Sequence, residues 1–225
     1  MRKITTCLLE VLLILNVCKS HAQQKSTNPQ KRKIMISTHV TKRTQLTSQE
    51  KDYAINFLKE TESGVLSAIK GLNHTQITFK PARDKWSVEE CVKHIAASET
   101  TLWAMVEESL KQTANPEKRE EIKFTDQDLI KAVEDRSQKS KTFAVLEPAN
   151  SPYKTVAEAL ASFKENREKL IAFVKNTTDD LRNHVSVLPM GTYDAYQFIL
   201  LISAHSNRHT QQIEEVKANI DFLKK

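Results

Sequence analysis

The stretch TYDAYQFILLISAHSNRHTQQIEEVKANIDF, residues 192–222, decides how the rest of the chain is read. At 100° per residue, Phe198, Leu201, Ile202, His205, His209, Gln212, Ile213 and Val216 fall on one side of a helix. Thr192 is placed to cap its start, and Asp194 to complement the helix dipole. Two imidazoles therefore stand one turn apart inside an apolar stripe. Buried there without partners they would be costly. Histidines at i and i+4 can also reach one divalent ion together. On spacing alone two readings stay open: a metal pair that needs a third ligand, or a pair of hydrogen-bonded core histidines.

Upstream, three more helices carry start signals of one kind. Thr47-Ser48-Gln49-Glu50 is a capping box, and the helix it opens presents Ile55, Leu58, Val65, Leu66, Ile69 and Leu72 before ending near Gly71. Gly64 within it is a place for a close helix contact. Ser87-Val88-Glu89-Glu90 opens the second helix, with Cys91, His94, Ile95, Ser98, Leu102 and Met105 on one face and Asn115-Pro116 as the stop. Thr155-Val156-Ala157-Glu158 opens the third, with Leu160, Phe163, Leu170, Ile171 and Val174. Between the second and third lies a charged excursion. It holds a short helix near 126–139 and is closed by Pro148 and Pro152. Leu188-Pro189-Met190-Gly191 turns the chain into the opening stretch. Only 3 glycines and 6 prolines occur in 225 residues, and no strand signal separates the helices. The expected fold is all-α, a four-helix bundle with a long connection between helices 2 and 3.

The flanks differ from this body. Residues 1–22 have a basic start, an apolar run and small residues at Ser20 and Ala22, the pattern of a secretory signal peptide cut before Gln23. Residues 23–44 are polar and basic without helical period, a disordered tail. Residues 45–225 are the bundle domain. The net charge of +6 comes from these flanks, with +2 in residues 1–22 and +6 in 23–43, which leaves −2 for the remainder. Such a body gives no electrostatic footprint for nucleic acid. Cys7 and Cys18 leave with the signal, so Cys91 has no disulfide partner and reads as a buried structural thiol. There is no Gly-rich phosphate loop, no G-x-S-x-G and no cysteine–histidine nucleophile pair.

The third ligand candidate is His94, the one other histidine on an inward helical face. His21 goes with the signal, His39 is in the tail, and His74 and His184 are in connections. If the second and fourth helices are neighbours, His94, His205 and His209 form a three-nitrogen site for zinc or nickel, with iron also accepting imidazoles. Zinc on three protein ligands keeps a position for water or substrate. Glu90 and Glu99 flank His94 but read as exposed helix charges, which leaves no general base in view. Trp86, Trp103, Tyr193 and Tyr196 either line a pocket or seal the core.

Trp86-Ser87-Val88-Glu89-Glu90-Cys91-Val92-Lys93-His94-Ile95, followed by His205-Ser206-Asn207-Arg208-His209-Thr210-Gln211-Gln212-Ile213, resembles the DinB-like (DinB/YfiT) superfamily. The resemblance spans about residues 45–222. It implies a four-helix bundle binding a divalent metal through a histidine of the second helix and an H-x₃-H of the last, here His94, His205 and His209. Gln212 matches a common polar position of the family, and Gln211 stands where glycine is frequent. Some members are thiol transferases in which the metal activates a thiol. An exported protein would lack the cytosolic thiol cofactor, so hydrolysis is the other reaction implied. The expectation is an exported, periplasmic or secreted, metal-dependent transferase or hydrolase on a small molecule. Its rival is a non-catalytic metal- or ligand-binding bundle. No nucleic acid and no stable membrane insertion after signal cleavage are expected, and a homodimer is compatible with the bundle faces.

Overall fold

The computed structural model describes residues 45–137, 141–188 and 191–222; the signal and tail expectations fall outside them. The elements are α1 (Ser48–Ile69), α2 (His74–Ile77), α3 (Val88–Lys111), α4 (Asp126–Glu134), α5 (Val156–Asn176), β1 (Val185–Leu188), β2 (Gly191–Asp194) and α6 (Ala195–Lys217). Three short 3-10 turns, Pro116–Glu121, Ala144–Leu146 and Pro148–Asn150, shape the connections.

The expected capping boxes at Thr47, Ser87 and Thr155 all form, each side chain accepting from the N3 backbone while the N3 glutamate reaches back. Such a cap contributes about 1 kcal/mol. Lys70 ends α1, and Gly71 follows at φ +77°, a conformation open to glycine without strain. The start of α6 differs from expectation. Asp194, not Thr192, is its N-cap, in a capping box with Gln197. Thr192 instead lies in a two-stranded antiparallel hairpin, where it pairs with Val187. The hairpin escaped the sequence because its strands are four residues each, too short for an alternating pattern to register. Asn115 anchors it, donating from Nδ2 to the Val185 carbonyl at 2.9 Å and accepting from the Val185 amide at 2.8 Å.

In the bundle, α6 packs on both α1 and α3, and α5 packs on both α3 and α1. The second and fourth long helices are therefore neighbours. Among the described residues, nearly all buried apolar side chains fall into two clusters. One holds Leu58 of α1, Leu102 of α3, Leu170 of α5 and Ala204 of α6; the other holds Val65, Ile95, Phe163 and Ile213 of the same helices. The order in which each helix passes between the clusters gives its direction: α1 and α6 run one way, α3 and α5 the other. Since α3 and α5 are parallel neighbours, the chain between them must travel back along a helix of about 36 Å. That requirement explains the long connection between them. Its helix α4 packs on α6, so α6 is covered on faces that a plain bundle would leave in solvent. Sixteen of its 23 residues are buried, where the periodicity had outlined a single stripe.

A polar layer separates the two clusters, with one residue from each long helix: Thr61, Glu99, Arg167 and Ser206. Arg167 is fully buried and uses all five of its N–H groups. It donates to Glu99 Oε1 (3.0 Å) and Oε2 (2.6 Å), the Leu58 carbonyl (3.0 Å), Thr61 Oγ1 (2.9 Å) and Ser206 Oγ (2.9 Å). Glu99 is thus not the exposed charge expected from its type. Burial pushes its carboxyl up, and the Arg167 guanidinium opposes that shift. Among the described residues no helix is long and apolar enough to cross a membrane.

Candidate metal centre

Helices α3 and α6 meet beside this polar layer, and there His94, His205 and His209 converge. Their exposures are 2%, 3% and 7%. His205 Nε2 lies 3.2 Å from His94 Nε2 and 3.1 Å from His209 Nε2. They are the one group of three or more His, Cys, Asp or Glu among the described residues able to hold a metal ion, with ligand atoms within 4.8 Å of one another.

The outer nitrogens set the protonation pattern. His94 Nδ1 lies 2.9 Å from the Leu146 carbonyl, which can only accept, so Nδ1 carries the proton. His209 Nδ1 lies 2.9 Å from Gln212 Oε1. The oxygen assignment of that amide agrees with Arg136 Nη1, a donor 3.5 Å from the same atom. Burial lowers His94 to about 4, against the raising effect of its bond to Leu146. Burial first, and then the neighbouring rings, hold His205 and His209 well below the ordinary histidine value. All three rings are therefore neutral at pH 7. His94 and His209 each turn a bare Nε2 towards His205, whose Nε2 has at most one proton to offer both. At least one of the two contacts thus sets lone pair against lone pair at hydrogen-bond distance in a buried site, an arrangement that a cation relieves. For nitrogen ligands at about 2.0–2.1 Å, a tetrahedral ion spaces them about 3.3 Å apart, close to the separations found. The donor set fits a divalent ion.

The surroundings come from every side of the bundle. Trp86, half-buried just before α3, stacks on His209 with centroids 5.9 Å apart and planes 16° apart, and tilts over His94 at 4.9 Å. It alone of the four candidate aromatics reaches the histidines. Trp103 packs edge-on against Phe173, Tyr193 lies between Phe124 and Phe198, and the Tyr196 hydroxyl donates to the Glu50 carbonyl. Arg136, just past α4, forms a two-pronged pair with Glu215 at 2.6 Å while facing Gln212. Arg208 holds that segment through the Val133 carbonyl at 3.1 Å and the Asp135 carbonyl. Gln211 donates to the Glu134 carbonyl, so the residue in place of glycine ties α4 to α6 and leaves the histidines alone. Glu90 serves the capping box and pairs with Lys80. Cys91 is buried and free, its thiol pushed up by desolvation. His74 is exposed on α2, and His184 stands just before the hairpin. The Leu146 carbonyl had no sequence signal, because backbone acceptors have no residue signature.

A profile of the DinB superfamily matches residues 58–213, a span that includes all three histidines. The chain belongs to the DinB superfamily. This DinB superfamily chain is 24% identical over 170 residues to the uncharacterized protein YuaE of Bacillus subtilis (strain 168), which covers 74% of the chain and 99% of YuaE. It is also similar in fold to YfiT from Bacillus subtilis, described as a probable metal-dependent hydrolase with an unusual four-helix bundle topology. The TM-score is 0.54 at 17% identity, covering 78% of the chain and 90% of YfiT.

Proposed function

We propose that this DinB superfamily protein binds one divalent metal ion through His94, His205 and His209, and with it catalyses hydrolysis or group transfer on a small molecule. The observation that carries this reading is the convergence of three neutral imidazoles with two outer nitrogens fixed by acceptors. A divalent ion bound there would supply Lewis-acid polarisation of an oxygen or sulfur donor. The chain's own part is to keep the three rings neutral, hold them in register through Leu146 and Gln212, and shield them with Trp86. Glu90 and Glu99 are both engaged elsewhere, so proton transfer falls to groups of the substrate or to solvent. Hydrolysis is preferred over thiol transfer: YfiT is described as a probable hydrolase, and the signal-like residues 1–22 point to action outside the cytoplasm. Zinc or nickel suits the all-imidazole set, with iron as the third choice. The partners proposed are a small-molecule substrate and, for the bundle faces, a second copy of the chain.

The near-complete burial of the three rings favours a second reading, a non-catalytic module in which the ion fixes α3 to α6. A panel of activated esters, amides and phosphoesters, assayed with metal-loaded protein and with the His205→Ala variant, separates the two. Turnover by the first and none by the second is expected. No turnover of any class by the loaded protein favours the module.

A further inference from the structure

Ser98 stands one turn beyond His94 on α3 and is 1% exposed. Its neighbours Thr100 and Thr101 turn their hydroxyls back to the carbonyls of Ala96 and Ala97, at 3.1 and 3.0 Å. Across the interface Ser206 and Thr210 do the same to Ile202 and Ser206. That is the ordinary habit of a hydroxyl inside a helix. Ser98 departs from it. Its single hydrogen bond among the described residues is to His94 Nε2, at 3.3 Å, the nitrogen that faces the other two histidines. Because His94 carries its proton on Nδ1, Nε2 accepts and the Ser98 hydroxyl donates.

With an ion held by the three histidines, that His94 lone pair would be used in ligation. The Ser98 hydroxyl would then lose its one partner among the described residues while remaining buried, and a buried donor left without an acceptor is destabilising. It already points to the place where the rings converge, and it has a proton to give.

Resting on the three-histidine reading above, we propose that Ser98 donates a hydrogen bond to the small-molecule ligand that binds beside the ion. The ligand class follows from the donor: a group with an accepting lone pair at the bound atom or next to it, such as a carboxylate, an alkoxide or a thiolate. Ser98 is thus a ligand-contacting residue, distinct from the three that hold the ion.

Co²⁺ and azide test this in the full chain. Co²⁺ accepts imidazole ligands and reports its surroundings by visible absorption, and azide is a small anionic acceptor. In the Ser98→Ala variant, Co²⁺ affinity is expected to stay within about two-fold of wild type, while azide binding weakens about ten-fold, the loss of one hydrogen bond. Equal azide affinity in the two proteins overturns the proposal and leaves Ser98 bonded to its own helix. Loss of Co²⁺ binding in Ser98→Ala overturns it in favour of a direct ligand role. Failure of the wild type to bind Co²⁺ overturns the three-histidine reading itself, and with it this inference. Alanine suits a helix interior, so the variant keeps the fold.

Discussion

Arg167→Met is the perturbation that probes the bundle most sharply. Arg167 is fully buried, and its bidentate partner Glu99 is 2% exposed. Truncating the guanidinium leaves the carboxylate in the core without its counter-charge. Thr61 keeps a bond to the Phe57 carbonyl at 2.9 Å and Ser206 one to the Ile202 carbonyl at 3.1 Å, so neither hydroxyl is orphaned. Nearly the whole cost therefore falls on Glu99. Breaking a buried pair from one side costs about 3–5 kcal/mol. A domain with about 5–15 kcal/mol of stability survives that loss measurably. The double variant Arg167→Met, Glu99→Leu removes both charges and is expected to return to within about 1 kcal/mol of wild type. Urea unfolding, followed by far-UV circular dichroism with the slope compared across variants, measures both. A cost under about 1 kcal/mol for the single variant, or a double variant no better than the sum of the singles, would mean that Glu99 does not depend on Arg167 for its charge balance.

Metal-free protein is expected to lose stability as pH falls. The folded His94 ring sits near pKa 4 against an ordinary 6.5, so between those values the unfolded chain takes a proton that the folded one refuses. The stability is complete above 6.5 and falls towards 4 by about 3 kcal/mol for this ring, with His205 and His209 acting in the same direction. Unfolding midpoints that stay flat from pH 7 to 5 would contradict this. Gln212→Ala should weaken metal affinity by about 10–100-fold by freeing His209 Nδ1, and Gln212→Glu should restore it; competition against a chelator reads both. Gly64→Ala should stabilise by about 0.5–1 kcal/mol, since an added Cβ meets Thr210 Cγ2 at an ordinary 3.7 Å. A lowered melting temperature would mean that the α1–α6 contact needs the glycine.

The legible features were those with a periodic or local signature. Three capping boxes and four amphipathic runs located the long helices within a few residues, and the inward phase of His94 anticipated its meeting with His205 and His209. Pairing across the bundle was harder to read. The α1 stripe is centred on Ala54, Leu58, Thr61, Val65 and Ala68, with Ile55 and Leu66 at its margin, so the buried face is offset from the one its largest apolar residues mark. Arg167 lies in core phase between Phe163 and Leu170, and Glu99 between Ile95 and Leu102. One arginine and one glutamate in apolar register on different helices were a signal, visible only by comparing helices rather than reading each alone. The Leu146 carbonyl and the turned hydroxyl of Ser98 depend on tertiary geometry and leave no trace in composition or spacing.

Metal stoichiometry decides whether His94, His205 and His209 hold one ion. Elemental analysis after dialysis against zinc and then against buffer, on wild type and on His205→Ala shown to be folded by circular dichroism, should find one ion per chain in the first and almost none in the second. Negligible metal in wild type that titration fails to restore, or full occupancy in His205→Ala, would contradict the three-histidine site.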